Sequence, residues 1–237
     1  MICSPPHPLL VIDVPPVFLS LMKEKEVKSL VLQIQMTYSY LRKSEKDLQC
    51  IVCGAGEESV VGRRLRIVAC GATWPSITLE SRQLEEIWST PAARSKLVYL
   101  TAESDRTLTE VVAAPDAGPV LPYQDWPTLV VGGFVDKNRH PGRAHARALE
   151  LDIPTARLPL RDYWDIKCKT VMAVNHLTEV VVRLAATQDW VTAMANAFPP
   201  RRGAKRKHEQ SSPLTDDPAG TDTAPEVNAS APPSPTR

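Results

Sequence analysis

The segment TLVVGGFVDKNRH, residues 128–140, constrains the possible fold more than any other part of the sequence. Thr128–Val131 is short and rich in β-branched residues, which is typical of a buried strand. Gly132–Gly133 can adopt backbone conformations closed to other residues and lets a ligand approach the main chain closely. Asp136 follows beyond the carboxyl end of that strand, where open α/β sheets place their ligands. The segment therefore indicates either a ligand site or a tight turn whose Asp136 caps the next helix.

The rest of the sequence alternates short apolar strands with helices, which favours a largely parallel α/β sheet. The clearest helix is Leu21–Lys43, whose apolar residues recur at helical spacing after a candidate N-cap at Ser20. The other predicted strands are Leu9–Asp13, Asp47–Cys53, Leu65–Cys70, Ser95–Leu100 and Thr155–Leu158. The other predicted helices are Thr78–Ser89, Ser104–Val112, Gly142–Asp152, Asn175–Thr187 and Asp189–Phe198.

Composition limits the class of protein but does not identify a partner. The 237 residues are 43% hydrophobic, enough for one substantial core. No apolar run approaches ~18 residues and the Pro-rich start does not match a signal peptide, so we expect a soluble intracellular protein with no membrane contact. The chain has 28 Lys and Arg against 27 Asp and Glu, and the part before Pro199 holds 22 of each (28 − 6 and 27 − 5). Any RNA-binding surface is therefore expected to be a local patch.

The end of the sequence changes character after Pro199. It is rich in Pro, Ser, Thr, Asp and Ala without apolar periodicity, so we predict a folded domain over 1–202 and a disordered tail over 203–237. A basic run, RRGAKRK, spans this boundary at residues 201–207. This run could contact phosphates, serve as a nuclear-import signal, or be the ordinary charged start of a tail.

Two groups of potential metal ligands each have a simpler interpretation. Cys50, Cys53 and Cys70 could form a zinc or redox site, but no fourth ligand has suitable spacing, which favours buried structural thiols. His140 and His145 could bind a metal near Asp136, whereas a solvated helix start is the simpler interpretation. The sequence also lacks a Walker phosphate loop, a Gly-x-Gly-x-x-Gly turn after a strand and a Gly-x-Ser-x-Gly elbow. We predict no metal site.

Seven segments, each weak alone, stand in an order and spacing that together carry a resemblance. They are VIDV near residue 11, the single segment SLVLQI–TYSYLRK at 29–43, LVYLTAES at 97–104, VVGGFVDKNRH at 130–140, DIPTARLPLRDY at 152–163, VMAVNHLTEVV at 171–181 and DWVTAMANAFPPRR at 189–202. The sequence thereby resembles the tRNA (guanine-9, N1) methyltransferase family, a branch of the SPOUT methyltransferase superfamily. The resemblance implies a SPOUT fold, with a mainly parallel sheet flanked by helices and a C-terminal trefoil knot, a rare exception to normal connectivity.

The resemblance also implies a site for S-adenosylmethionine in loops of the second half of the chain. The implied cofactor-binding residues are Leu100, Thr101, Gly132, Gly133, Asp136, Lys137, Asn138, Arg139, His140, Ala144, Leu158, Thr170, Val171 and Met172. Asp136 is implied as the proton acceptor. Guanine N1 is a poor nucleophile until it loses its proton, and a carboxylate within reach could remove it, an effect typically worth ~10²–10⁴-fold. The sulfonium of the cofactor supplies the leaving group, so the remaining task is alignment.

Together these expectations predict that the protein methylates N1 of the purine at position 9 of tRNA, with guanine as the expected purine. RNA contacts are expected at Arg42, Lys43, Arg201 and Arg202. A monomer in the nucleus or cytoplasm is expected. The alternative is a non-catalytic RNA-binding scaffold for RNA processing. It is motivated by Leu41, which replaces the usual Asn, and by the absence of the usual Lys-rich extension before the first strand.

Overall fold

Six parallel strands form the central sheet of this computed structural model, which describes residues 8–70, 72–116, 118–165, 171–195 and 205–206, the last pair by backbone alone. The strands are β1 (Leu10–Asp13), β2 (Cys50–Cys53), β3 (Ile77–Leu79), β4 (Leu97–Leu100), β5 (Thr128–Gly132) and β6 (Thr155–Ala156). Their order across the sheet is β3-β2-β1-β5-β4-β6, and every ladder is parallel. The predicted α/β class with a mainly parallel sheet is confirmed.

The two central strands, β1 and β5, are buried on both faces, as expected for parallel strands that read as continuous apolar runs. Leu10 pairs with Leu129 and Asp13 pairs with Gly132, so the two strands end level with each other. Alternate side chains enter two cores, one on each side of the sheet. Leu10 and Leu129 lie in one core, and Val11 lies in the other.

Helices cover both faces of the sheet. They are α1 (Pro16–Leu21), α2 (Glu24–Lys43), α3 (Val60–Val68), α4 (Leu84–Ile87), α5 (Pro91–Arg94), α6 (Leu108–Val112), α7 (Arg143–Glu150), α8 (Leu160–Tyr163), α9 (Val174–Thr187) and α10 (Trp190–Met194). Helices α2 and α9 pack in the core that contains Leu10, whereas Ala148 of α7 lies in the core that contains Val11. Within the described residues, every helix is too short or too polar to span a bilayer.

Polar contacts fix α9 against α2. The hydroxyl groups of Thr37 and Thr178 lie 2.8 Å apart in the buried interface. At the start of α9, the backbone N–H of Val174 donates to Oε1 of Gln33 over 2.9 Å. Because the first N–H groups of a helix have no partner within it, this side chain stabilises the point at which α9 begins.

A second, two-residue ladder lies outside the main sheet. β7 (Trp164–Asp165) directly follows α8, and β8 (Lys205–Arg206) pairs with it in the antiparallel sense. One compact unit runs from Met1 to Lys207, and the second, His208–Arg237, lies outside the described residues. The predicted domain boundary at 202 and the predicted disordered tail therefore stay predictions.

The predicted strand Leu65–Cys70 is wrong, because most of this segment belongs to α3. The helix begins after Ser59, whose hydroxyl oxygen accepts the backbone N–H of Val61 over 3.3 Å. Val61 and Leu65 are buried four residues apart, which is helical spacing and not the alternation of a strand.

The predicted helix Thr78–Ser89 is also wrong over its first half. Ile77 pairs with Cys50 at the edge of the sheet, so β3 occupies the segment that begins there, and α4 forms only one turn further on. In contrast, the long helix predicted at Leu21–Lys43 is present as α2. Its predicted N-cap at Ser20 is wrong, since that residue lies in the separate helix α1 and Lys23 occupies the N-cap position of α2.

Candidate functional site

A cavity of about 600 Å³ opens at the carboxyl ends of β4, β5 and β6, with the start of α9 as a further wall. This volume is within the range of small-molecule sites, and the position is the one that open α/β sheets favour for ligands. Ten of the fourteen predicted cofactor residues line it: Leu100, Thr101, Gly132, Asp136, Asn138, His140, Ala144, Leu158, Val171 and Met172. Gly133, Lys137 and Arg139 do not line it, and Thr170 lies outside the described residues.

Asp136 closes its own loop with both oxygens of its carboxylate. Oδ1 accepts the backbone N–H of Asn138 over 2.8 Å, and Oδ2 accepts the backbone N–H of His140 over 2.6 Å. Lys137 and Asn138 are both left-handed, with φ of 52° and 60°, so the chain reverses tightly around the side chain. Asp136 therefore stabilises a tight turn and also lines the cavity. The predicted capping of the next helix by Asp136 is wrong, because α7 begins after Gly142 with no side-chain cap.

Arg139 anchors this loop to the other half of the molecule. Its guanidinium donates to Oε2 of Glu26 over 2.6 Å and to the carbonyl oxygen of Leu21 over 3.1 Å. Glu26 also accepts the backbone N–H of Lys23, and these hydrogen bonds hold the pKa of Glu26 below its usual value, that of Lys23 being the strongest cause. The side chain of Arg139 thus points away from the cavity towards the junction of α1 and α2.

Packing at the end of β5 requires the glycine pair Gly132–Gly133, and neither glycine has a positive φ. A Cβ atom on Gly133 would lie 2.6 Å from Cγ2 of Val14 and 3.0 Å from the carbonyl oxygen of Asp13. On Gly132 it would lie 3.2 Å from the hydroxyl of Tyr99. The sequence argument based on unusual backbone conformations is therefore wrong here. Close approach of a ligand to these glycines stays a prediction, and the neighbours that the structure places against them are protein atoms.

A buried charge network lies directly behind Gly132. Oδ2 of Asp13 accepts the hydroxyl of Tyr99 over 3.1 Å and Nε of Arg147 over 3.2 Å. Arg147 also pairs with Glu85 over 2.5 Å. Burial raises the pKa of Asp13, while Arg147 and Tyr99 act in the opposite direction. The network ties α7 to the ends of β1 and β4, and so positions one wall of the cavity.

Several charged residues of the cavity wall were not predicted from the sequence. They are Glu103, Asp105, Arg143, Arg157, Arg161 and Asp162. Nη1 of Arg157 donates to the carbonyl oxygens of Ser104 and Asp105, which joins the loop after β4 to the loop after β6. Each of these residues lies within four positions of a predicted cofactor residue, and this nearness is the signal that the sequence offered.

The two predicted RNA-binding residues that the structure describes do not lie at the cavity. Arg42 and Lys43 are exposed at the end of α2 and do not line it. Arg201 and Arg202 lie outside the described residues. Leu41, on which the scaffold alternative partly rested, is 2% exposed and belongs to the core.

The cysteines behave mainly as structural thiols. Cys50 and Cys53 are buried, and burial raises the pKa of Cys50 to about 12 and also raises the pKa of Cys53. Cys70 is exposed, so its predicted burial is wrong. In the part of the chain that the structure describes, no three His, Cys, Asp or Glu side chains are grouped so that they could hold a metal ion.

Comparison with known proteins identifies the family. A family model described as tRNA (guanine(9)-N(1))-methyltransferase TRM10/TRM10A matches residues 4–203. The chain belongs to this family. Its TRM10 relatives include tRNA (guanine(9)-N(1))-methyltransferase Trmt10A of Drosophila melanogaster, 42% identical over 113 residues, which are 48% of this chain and 32% of the fly protein. The tRNA methyltransferase 10 homolog A of Rattus norvegicus is 29% identical over 212 residues, 87% of this chain and 58% of the rat protein. The matched part of the chain thus spans about a third of the length of the fly protein and less than two thirds of the length of the rat protein.

Solved TRM10 structures share the fold. The crystal structure of spTrm10(74) is 25% identical, with a TM-score of 0.64 over 83% of this chain and 98% of that one. Full-length spTrm10 in complex with SAH is 24% identical, with the same TM-score over 83% of this chain and 99% of that one. These likenesses confirm the predicted SPOUT fold. The trefoil knot stays a prediction, and residues 166–170, before the last cavity loop, lie outside the described residues.

Proposed function

We propose that this TRM10-family chain transfers a methyl group from S-adenosylmethionine to N1 of the purine at position 9 of tRNA, with guanine as the purine. The observation that carries the proposal is the cavity, because ten residues implied by the resemblance surround one space and Asp136 lies in its wall. The relatives from fly and rat are named as tRNA methyltransferases, which supports the same reaction class.

The residues of the cavity fit S-adenosylmethionine in size and chemistry. Leu100, Leu158 and Met172 offer apolar surface, and Thr101 and the backbone after β5 offer polar groups, a mixture typical of small-molecule sites. When bound, S-adenosylmethionine supplies an electrophilic methyl group on a sulfonium. The protein then has to bind it, hold the base beside it and remove the N1 proton.

Asp136 can remove that proton while its loop stays closed. Each carboxylate oxygen of Asp136 accepts one backbone N–H, from Asn138 or His140. A carboxylate oxygen has two acceptor positions, so each retains one for a further donor such as the N–H at N1 of guanine. The two backbone bonds also hold the carboxylate in one orientation, which favours catalysis by positioning.

The direct test is methyl transfer. Purified protein would be incubated with unmodified tRNA and S-adenosylmethionine labelled in the methyl group, and the modified nucleoside would be mapped by mass spectrometry. We expect label at N1 of the purine at position 9, and tRNAs with guanine or adenine there would separate the two bases. Absence of transfer to tRNA would refute the enzyme proposal.

The scaffold alternative has a separate signature. A scaffold does not need a pocket for S-adenosylmethionine, whereas the proposed enzyme does, and the well-formed cavity favours the enzyme. Calorimetry with S-adenosylmethionine distinguishes them, since tRNA binding without cofactor binding would support the scaffold.

We also propose that the protein acts as a monomer in the nucleus or cytoplasm. The monomer follows from the resemblance, and the location follows from the basic run at 201–207. Light scattering at assay concentrations tests the first, and imaging of the tagged full chain tests the second.

A further inference from the structure

We infer that Arg143 binds the carboxylate of the methionine part of S-adenosylmethionine, and that this ion pair separates the cofactor from analogues that lack a carboxylate. The inference rests on the proposed function, because it takes S-adenosylmethionine as the ligand of the cavity. Arg143 is not among the cofactor-binding residues that the resemblance implies, and the proton transfer proposed for Asp136 does not use its charge.

Arg143 is a half-buried cation in the wall of the cavity. Within the described residues its side chain has no hydrogen bond or ion pair, and its Nε is buried from solvent. Buried N–H donors in native proteins are almost always hydrogen-bonded. The partner of this guanidinium is therefore expected to be a ligand that enters the cavity.

Arg147, one turn further along the same face of α7, is a paired arginine with which Arg143 can be compared. Nε of Arg147 donates to Asp13 over 3.2 Å, and its Nη2 donates to Glu85 over 2.5 Å. Both of these carboxylates belong to the charge network behind Gly132. Helix α7 thus uses one arginine to hold itself in place and presents the other, without a protein partner, to the cavity.

The other arginines of the described wall are less suited to a small anionic ligand. Nη1 of Arg157 donates to the carbonyl oxygens of Ser104 and Asp105, so this side chain already has protein partners. Arg161 is exposed, and water screens its charge more strongly. Arg143 combines partial burial with a free guanidinium.

The charges of the wall complement those of S-adenosylmethionine. Among the described residues that line the cavity, the carboxylates belong to Glu103, Asp105, Asp136 and Asp162. They attract the sulfonium and the ammonium of the ligand but repel its carboxylate, which therefore needs a cation. A guanidinium matches a carboxylate well, because it can donate two parallel N–H groups to the two oxygens.

The position of Arg143 is consistent with the position of the reacting atoms. The backbone N–H of His140 is bound to Asp136, and residues 140–144 all line the cavity. Three residues along the chain span at most ~11 Å, so the backbone of Arg143 lies within that distance of the backbone of His140. The sulfonium has to lie beside the base that Asp136 deprotonates, and only a short carbon chain joins it to the carboxylate. The long side chain of Arg143 can reach that group.

The experiment changes both partners of the proposed ion pair. Calorimetry with the full chain would measure the affinity for S-adenosylhomocysteine and for its decarboxylated analogue, which keeps the adenosine, the sulfur and the amine. Both ligands would be tested on the unaltered protein, on Arg143→Gln and on Arg143→Lys. Arg63→Gln is the matched control, since it makes the same change at an exposed arginine outside the cavity.

We expect Arg143→Gln to bind S-adenosylhomocysteine about tenfold to a hundredfold more weakly, the range for a lost hydrogen bond to a charged group. The unaltered protein should lose a similar factor when the ligand loses its carboxylate. Arg143→Gln should bind the two ligands about equally, because the two changes remove the same interaction. Arg143→Lys keeps the charge without the planar fork and should have an intermediate affinity. The control should match the unaltered protein with both ligands.

Three results would overturn the assignment. If the decarboxylated analogue bound the unaltered protein as tightly as S-adenosylhomocysteine, the carboxylate would have no partner, and this measurement needs no variant to fold. If loss of the carboxylate cost the same factor in Arg143→Gln as in the unaltered protein, the partner would be another group. If Arg143→Gln weakened binding of tRNA but not of S-adenosylhomocysteine, Arg143 would contact the RNA.

Failure of the proposed function would look different. The unaltered protein would then bind no S-adenosylhomocysteine, or it would bind the compound with the expected dependence on Arg143 and still transfer no methyl group to tRNA.

Discussion

At the scale of single residues, the side chain of Asp136 has both a structural role and a place in the cavity wall. Its carboxylate accepts two backbone N–H groups of a turn in which Lys137 and Asn138 have left-handed conformations. The same carboxylate lines the cavity. The segment TLVVGGFVDKNRH predicted that Asp136 follows the carboxyl end of a strand. The bonds to Asn138 and His140 could not be predicted, because they depend on two successive left-handed residues that no spacing rule reveals.

Asp136→Asn tests the proposed base. An amide cannot take the N1 proton, so we expect turnover to fall by ~10²–10⁴-fold. The loss should be greatest at low pH, since at high pH solvent can remove that proton without a base. Because the amide also replaces one acceptor by a donor, unfolding should be easier by about 1–3 kcal/mol. Methyl transfer rates across pH and urea denaturation measure these effects.

Asp125→Asn is the control for this change, since it alters an exposed carboxylate outside the cavity in the same way. Calorimetry with S-adenosylhomocysteine shows whether the altered loop still binds the cofactor product. If Asp136→Asn lost affinity and turnover to the same extent, Asp136 would be a binding or structural residue and not the base.

Gly133→Ala tests the close packing behind the cavity. The new methyl group would lie 2.6 Å from Val14 and 3.0 Å from the backbone of Asp13. Overpacking of this kind typically costs about 1–3 kcal/mol, so the free energy of unfolding should fall by that amount. Gly132→Ala, with 3.2 Å to its nearest neighbour, should be less destabilising. Urea denaturation of both variants checks the order, and the reverse order would contradict the packing argument.

At the scale of elements, the main strands could be predicted from the sequence, whereas the buried charge network behind the cavity could not. The β-branched runs of β1, β4 and β5 predicted buried parallel strands. The segment Leu65–Cys70 was assigned to a strand although most of it lies in α3, and the start of the predicted helix at Thr78 lies in β3. The network of Asp13, Tyr99 and Arg147 joins residues 86 and 134 positions apart. Only the order of strands in the sheet brings these elements together, and that order cannot be read from local pattern.

Arg147→Met tests how α7 is anchored. The variant leaves Asp13 buried without its cation, and breaking a buried pair typically costs about 3–5 kcal/mol. Burial already raises the pKa of Asp13, and loss of Arg147 raises it further. A raised pKa favours the protonated form in the folded state, so stability retained at acid pH is lost as pH rises through the folded pKa. The destabilisation should therefore grow as pH rises from below the ordinary pKa of a carboxyl to above the raised pKa of Asp13, as measured by urea denaturation.

The double variant Asp13→Asn/Arg147→Met is the matched control. It removes both charges, so it should be more stable than Arg147→Met alone at neutral pH. A loss of stability that is independent of pH, or a double variant no better than the single one, would show that Arg147 acts through packing and not through charge.

At the scale of the whole molecule, a ligand that binds only the folded state raises its stability. S-adenosylhomocysteine at a hundredfold excess over its Kd should add about 2.7 kcal/mol, which raises Tm by about 5–10 °C for a domain of this size. Thermal unfolding with and without the compound measures the shift, and homocysteine, which lacks the adenosine group, is the control. No shift at saturating concentration would argue against the cavity as the cofactor site.

The strand order also has a consequence for synthesis of the chain on the ribosome. β1 lies in the middle of the sheet, and its partner β5 is made ~120 residues later, which takes ~6–24 s at ordinary translation rates. Throughout that time one edge of the apolar strand Leu10–Asp13 is open, even after β2 has been made. Such an edge is a template for pairing with other chains. The nascent protein is therefore most exposed to aggregation until Gly132 has left the ribosomal tunnel.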